Sequence, residues 1–112
     1  MPRGLLVIQT DPRLGQEGAF EQFYDDIHLH EVTETPGFVL GRRFVAVRGE
    51  RIPVRPAGEW LSNLTVYDID SDDLALSYRT MLSRDLTRRD DVFSETSPYR
   101  SQLFEQVFEV RP

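Results

Sequence analysis

Ala19-Phe-Glu-Gln-Phe-Tyr-Asp-Asp-Ile-His-Leu-His-Glu-Val-Thr33 is followed, after Glu34 and Thr35, by Pro36-Gly37 and by Phe38-Val-Leu-Gly-Arg-Arg-Phe-Val-Ala-Val47. The apolar period changes across this stretch. Phe20, Phe23, Tyr24, Ile27 and Glu31 recur at the i, i+3, i+4 spacing of a helix face, so Ala19 to Thr33 reads as an amphipathic helix. Pro36-Gly37 stops it, because a residue before proline is pushed out of the helical region and glycine tolerates a left-handed backbone. Phe38 to Val47 is rich in β-formers and free of proline, which predicts a long strand.

The rest of the chain is ordered around this pair. Leu5 to Thr10, closed by Asp11-Pro12, predicts a buried first strand, and Gly15 to Gly18 a loop. Gly49 to Gly58 carries Pro53 and Pro56 and reads as a connection. Trp60 to Ile69 is the third strand. A second helix is expected over Asp73 to Arg84, capped by Ser71 or Asp72 and burying Leu74, Tyr78, Met81 and Leu82. Asp85 to Pro98 is charged, with one short helical turn near Arg89 to Phe93, and Arg100 to Val110 is the final strand.

The order β-α-β-β-α-β predicts a single α+β domain over residues 1–112. It is ferredoxin-like, a four-stranded antiparallel sheet with both helices on one face. Leu40 and Phe44 oppose Val39, Val45 and Val47 in strand phase, and Leu103 and Val107 oppose Phe104 and Phe108. A sheet that is apolar on both sides, with helices for only one, predicts a homodimer in which two copies pair as a dimeric α/β barrel.

Composition narrows the chemistry. Cysteine is absent, so disulfides and thiolate nucleophiles are excluded, and all thirteen basic residues are arginine, which removes Schiff-base lysine. The net charge of −6 with dispersed acids argues against nucleic acid as a partner. No apolar run reaches membrane-spanning length and no signal-peptide pattern is present, so a cytoplasmic protein with no membrane partner is expected. Asp68, Asp70, Asp72 and Asp73 lack the glycine and distal glutamate of a calcium loop and read as capping residues. His28 and His30, two apart on a helix, face different ways and make a poor metal pair; neither metal nor cofactor is expected.

On a regular wheel starting at Phe20, Glu31 falls at ~20°, Tyr24 at ~40° and His28 at ~80°, all on or beside the apolar stripe. A carboxylate on the buried side of a helix needs a partner or a wet cavity. Tyr24, His28 and Glu31 are therefore the candidate acid/base cluster, with Glu31 orienting or charging the imidazole. Packing alone also accounts for them: an edge histidine is commonly a structural hydrogen-bonder, and Glu31 lies near the helix end. Trp60, Tyr67 and Tyr78 are candidate substrate-binding aromatics. Arg43, within the cluster Arg42, Arg43, Arg48, Arg51 and Arg55, is a candidate contact for a small anionic group.

The run Phe20-x-x-Phe-Tyr-Asp-Asp-Ile-His-Leu-His-Glu-Val, continuing into Pro36-Gly-Phe and Gly41-Arg-Arg-Phe44, resembles the EthD-like branch of the dimeric α/β barrel superfamily. The likeness continues through Leu61 to Tyr67 and Tyr78. It implies the same fold, a dimer and a pocket between sheet and helices, and matches His28 to the histidine recurrent in that branch. Relatives of that superfamily include cyclases, isomerases, lyases, haem-degrading enzymes and cofactor-free monooxygenases, so fold does not choose a reaction. This chain departs from the pattern at His30, where relatives often carry proline. It also has no histidine on the second helix, which argues against haem. The expected function is a cofactor-independent enzyme acting on an apolar or aromatic carbonyl-bearing small molecule; the alternative is a non-catalytic ligand-binding or stress-response dimer.

Overall fold

The computed structural model describes residues 3–47, 62–96 and 99–112; Trp60 and the arginines at 48, 51 and 55 lie outside the described residues. Among the described residues four strands form one sheet: β1 (Arg3–Thr10), β2 (Phe38–Val45), β3 (Asn63–Asp70) and β4 (Arg100–Glu105). Their order is β2-β3-β1-β4, and every neighbouring pair is antiparallel, the arrangement of a ferredoxin-like fold.

The first helix has three parts: α1 (Glu17–Phe23), a π turn (Tyr24–His28) and α2 (Leu29–Thr33). It begins inside the predicted loop, with Gly18 taken into its first turn. The second, α3 (Leu74–Ser83), is capped by Asp73, whose side chain accepts a hydrogen bond from the Leu76 amide at 3.0 Å. Asp73 therefore takes the capping role expected of Ser71 or Asp72. Leu74, Ser77 and Met81 form the buried face of α3, while Leu82 lies one residue beyond it and is 59% exposed, contrary to expectation.

Antiparallel register assigns each side chain to a face. Leu6 pairs with Tyr67 and Leu103, Ile8 with Thr65, and Thr10 with Asn63; these side chains point toward the helices. On the other face lie Leu5, Val7, Leu64, Val66, Leu40, Phe44 and Phe104, with Arg42 and Asp68 paired at 2.8 Å. Both faces are apolar.

Strand β4 stops at Glu105, five residues short of the predicted end. Glu105 pairs with Gly4, and the Gln106 amide donates to the Arg3 carbonyl at 2.7 Å. The described part of β1 extends no further. At Gly41 a Cβ would come within 3.0–3.2 Å of Thr33, Leu29 and Tyr67 side-chain carbons, so glycine there lets α2 settle against β2 and β3.

Candidate functional site

The π turn decides where the helix directs its polar side chains. The Leu29 amide bonds back five residues to the Tyr24 carbonyl, which places one extra residue in that turn. Everything after it is turned back by ~100°, moving Glu31 from ~20° to ~280° and Val32 from ~120° to ~20°. Burial follows this corrected wheel. Val32 is 1% exposed and part of the core, a position the regular period assigned to Glu31.

Glu31 instead reaches sideways. Its Oε2 accepts from the Thr87 amide at 2.9 Å, in the segment after α3. Hydrogen bonds from Thr87 hold the carboxyl below its ordinary range, and the Arg84 guanidinium donates to the Glu31 carbonyl and to Thr35 Oγ1. Those contacts tie the far end of α3 to the end of α2. His30 is exposed and donates from Nε2 to the Asp25 carbonyl at 2.9 Å. Among the described residues no group of His, Asp or Glu is placed to hold a metal ion.

Tyr24 and His28 stay together. Their rings meet edge to face at 5.5 Å, and the imidazole stacks on Phe23 at 5.1 Å. Burial pushes the imidazole pKa below its ordinary value, while the charge of Glu31 opposes that shift. His28 is thus a neutral base near pH 7, influenced by Glu31 through space.

Beneath them is the sheet. The Tyr24 hydroxyl lies near the hydroxyls of Thr10 and Thr65, and burial pushes its pKa up to about 12. Tyr67 is fully enclosed, its phenol raised further by burial and by the neighbouring oxygens of Tyr24 and Tyr99. Both phenols keep their protons at any physiological pH and serve as donors. His28 Nδ1, Glu31 Oε1 and Tyr67 OH are buried without a hydrogen-bond partner among the described residues, while Thr10 Oγ1 has the Tyr24 hydroxyl within reach. Buried polar atoms are ordinarily satisfied, so several on one side of one sheet are unusual.

One wall comes from a distant segment. Val92 is fully buried, and Phe93 lies within 5.7–6.2 Å of Phe20, Phe23, Tyr24 and Tyr99. Bonds of the Arg13 amide to the Val92 carbonyl and of the Ser94 amide to the Asp11 carbonyl hold the segment across the end of β1. The shell is aromatic, and the polar atoms within it come from β1, β3 and the π turn.

The other sequence candidates are distributed differently. Tyr78 is half-buried against the core, with its oxygen near that of Tyr99. Arg43 spends Nε and Nη2 on a two-pronged pair with Asp25 at 2.8 and 2.9 Å, leaving Nη1 buried without a partner among the described residues. Trp60 lies outside the described residues. Sequence reasoning passed over Thr10, Thr65, Thr87 and Phe93. Two threonines on the core-facing phase of otherwise apolar strands were a readable signal; the Thr87 and Phe93 contacts, made across the chain, were not.

Tyr67→Phe tests whether this hydroxyl is held for a ligand. Removing an unpartnered buried donor is expected to raise stability by about 1 kcal/mol, as read by urea denaturation. A loss of similar size would show that the hydroxyl already has a protein partner.

These features define an α+β domain of ferredoxin-like topology with a polar cluster inside an aromatic shell under its helices. Comparison with protein-family models, with curated proteins and with solved structures gave no match. No helix among the described residues is long and apolar enough to cross a membrane.

Proposed function

We propose that the cluster around Tyr24, His28, Thr10 and Tyr67 binds a small, mostly apolar or aromatic molecule bearing a carbonyl or phenol, and that His28 moves a proton on it. The supporting observation is the set of buried, unpartnered polar atoms inside an aromatic shell. The chemistry of the set suits such a ligand. Tyr67, with Tyr24 beside it, donates to the carbonyl oxygen, and His28 Nδ1 accepts a proton from an adjacent carbon or hydroxyl while Nε2 carries the resident proton. The negative charge that develops on oxygen is held by the two phenols. The imidazolium is balanced by Glu31, and its proton is returned at another atom of the substrate. A cyclase, isomerase, lyase or cofactor-free monooxygenase of EthD-like kinship would share this opening step.

One observation favours the second reading, a non-catalytic ligand-binding dimer. Glu31 gives its carboxylate to the Thr87 amide instead of to the imidazole. The two readings share binding and part at turnover. Titrating small aromatic ketones and phenols into the protein, followed by the His28 ring signals in NMR, is expected to perturb those signals and raise Tm together. A ligand at 100 times its Kd adds about 2.7 kcal/mol. Ring signals that stay unmoved by every compound that raises Tm would remove the site from His28.

The proposal includes a homodimer formed through the open face of the sheet. Leu40, Phe44 and Phe104 on that face are 46%, 43% and 51% exposed, and Leu5, Val7 and Leu64 are half-buried. A contiguous apolar surface of this kind is characteristic of an interface. Sedimentation equilibrium is expected to report twice the 13.0 kDa chain mass. A single 13.0 kDa species at every concentration would refute it.

A further inference from the structure

We infer that the last residues, Gln106–Pro112, are an arm that seats in a groove on a second copy of the chain, each copy receiving the arm of the other. This rests on the homodimer reading above and adds to it a specific element and its receptor.

The arm has no strand of its own chain to join among the described residues. Pairing of β4 with β1 ends at Glu105 and Gly4, and the Gln106 amide makes the last ladder contact, to Arg3. Beyond that point Val107, Phe108 and Val110 are 89%, 81% and 76% exposed. Three large apolar side chains left this open in a short segment constitute an interaction surface.

The receptor lies at the root of the arm. A groove of about 580 Å³ opens on the helix-free face, where β1 and β2 begin and β3 and β4 end. Leu5, Val39 and Phe104 supply its apolar part. Its charged lining is Arg3 against Asp68, Asp70, Glu105 and Glu109, a net negative balance. Asp70 Oδ1 is buried there without a hydrogen-bond partner among the described residues, and Oδ2 meets Arg3 only at 3.8 Å. The arm is balanced, Glu109 against Arg111, and Arg111 is its one cation. Arg111 has a 77% exposed side chain and pairs with its near neighbour Glu109 at 3.2 Å.

Geometry selects the occupant. Gln106 and Glu109 form part of the groove wall, so the arm of the same chain bounds the space and cannot also fill it. Arm and groove adjoin on the same face, which makes the patch self-complementary, the requirement for a two-fold interface. In that pairing Val107 and Phe108 cover Leu5, Val39 and Phe104 of the other copy, and Arg111 approaches Asp70. The arms extend the buried area past the sheet faces alone, toward the several hundred square ångströms per partner that stable interfaces use.

Because the chain has no cysteine, disulfide trapping is clean. Val39→Cys chains mixed with Phe108→Cys chains under mild oxidation are expected to give a covalent heterodimer. A chain ending at Glu105 is expected to dimerise at least tenfold more weakly by sedimentation equilibrium, with an unchanged far-ultraviolet circular dichroism spectrum. Arg111→Glu should weaken dimerisation several-fold, increasingly so at low salt. A full-length chain that stays monomeric refutes the homodimer itself. A full-length dimer that the truncation leaves equally tight, or a Val39→Cys/Phe108→Cys double variant that closes within one chain, refutes the arm and spares the dimer.

Discussion

Phe20→Ala is expected to lower the free energy of unfolding by about 3–5 kcal/mol, a large part of the 5–15 kcal/mol that domains of this size possess. Phe20 is 1% exposed, and its ring lies 5.0 Å from that of Tyr24 and 5.7 Å from that of Phe93. With Phe23, Tyr24 and Val92 it makes a cluster separate from the main core, which gathers Leu6, Ile8, Val32, Tyr67, Ile69 and Met81. Truncation removes the wall on which the Phe93 segment rests, and the neighbours cannot collapse into the gap without moving Tyr24. Urea denaturation measures the loss. A decrease below about 1 kcal/mol would mean that the aromatic shell is not packed as described.

His28→Gln should reduce turnover by about 10²–10⁴, the usual contribution of a positioned base, with little change in Tm at pH 8. Its pH dependence gives a check that needs no substrate. Burial lowers the folded pKa of His28 below the 6.5 of a free imidazole, so as pH falls the unfolded chain takes up its proton first. The neutral histidine thus contributes its full stability above about pH 6.5, and that contribution is lost as pH drops toward the folded value. Glutamine does not titrate, so the variant, level with the parent at pH 8, should be the more stable of the two in acid. In kinetics, kcat/KM should rise with pH through the lowered pKa and then level off. An imidazole titrating at or above 6.5 in NMR, or equal losses of Tm and turnover at pH 8, would return His28 to a structural role.

How much of this was readable beforehand depends on the range of the interaction involved. Burial of Phe20 and Phe23 follows from the helical period, and the Pro36-Gly37 stop from local backbone sterics; both are settled within a few residues. Gly37 takes φ +91° inside a turn just past the helix end, closed by the Phe38 amide on the Thr35 carbonyl at 3.0 Å. The predicted final strand is too long because Phe104 to Val110 keeps strand-like composition past Gln106, which meets Arg3 at the end of the described part of β1. Pairing, not propensity, sets that boundary.

The site shows the same division. Tyr24 and His28 were legible because they sit at the beginning and end of the π turn, before its offset accumulates. Glu31 was misplaced because a regular wheel cannot know that one residue is inserted above it. The Trp60 reading falls outside the described residues, and Arg43 was identified as a charge without its Asp25 partner.

By itself, then, the order of residues determined the element sequence, the antiparallel four-stranded sheet, the doubly apolar character of that sheet and the chemistry excluded by the absence of lysine and cysteine. These depend on period and composition, which act over short range. Tertiary structure alone decided that Val32 displaces Glu31 from the core, that Thr10 and Tyr67 face the π turn, and that the Val92–Phe93 segment closes over them. Each of those outcomes depends on groups distant in the chain meeting in space, and no local pattern encodes such a meeting.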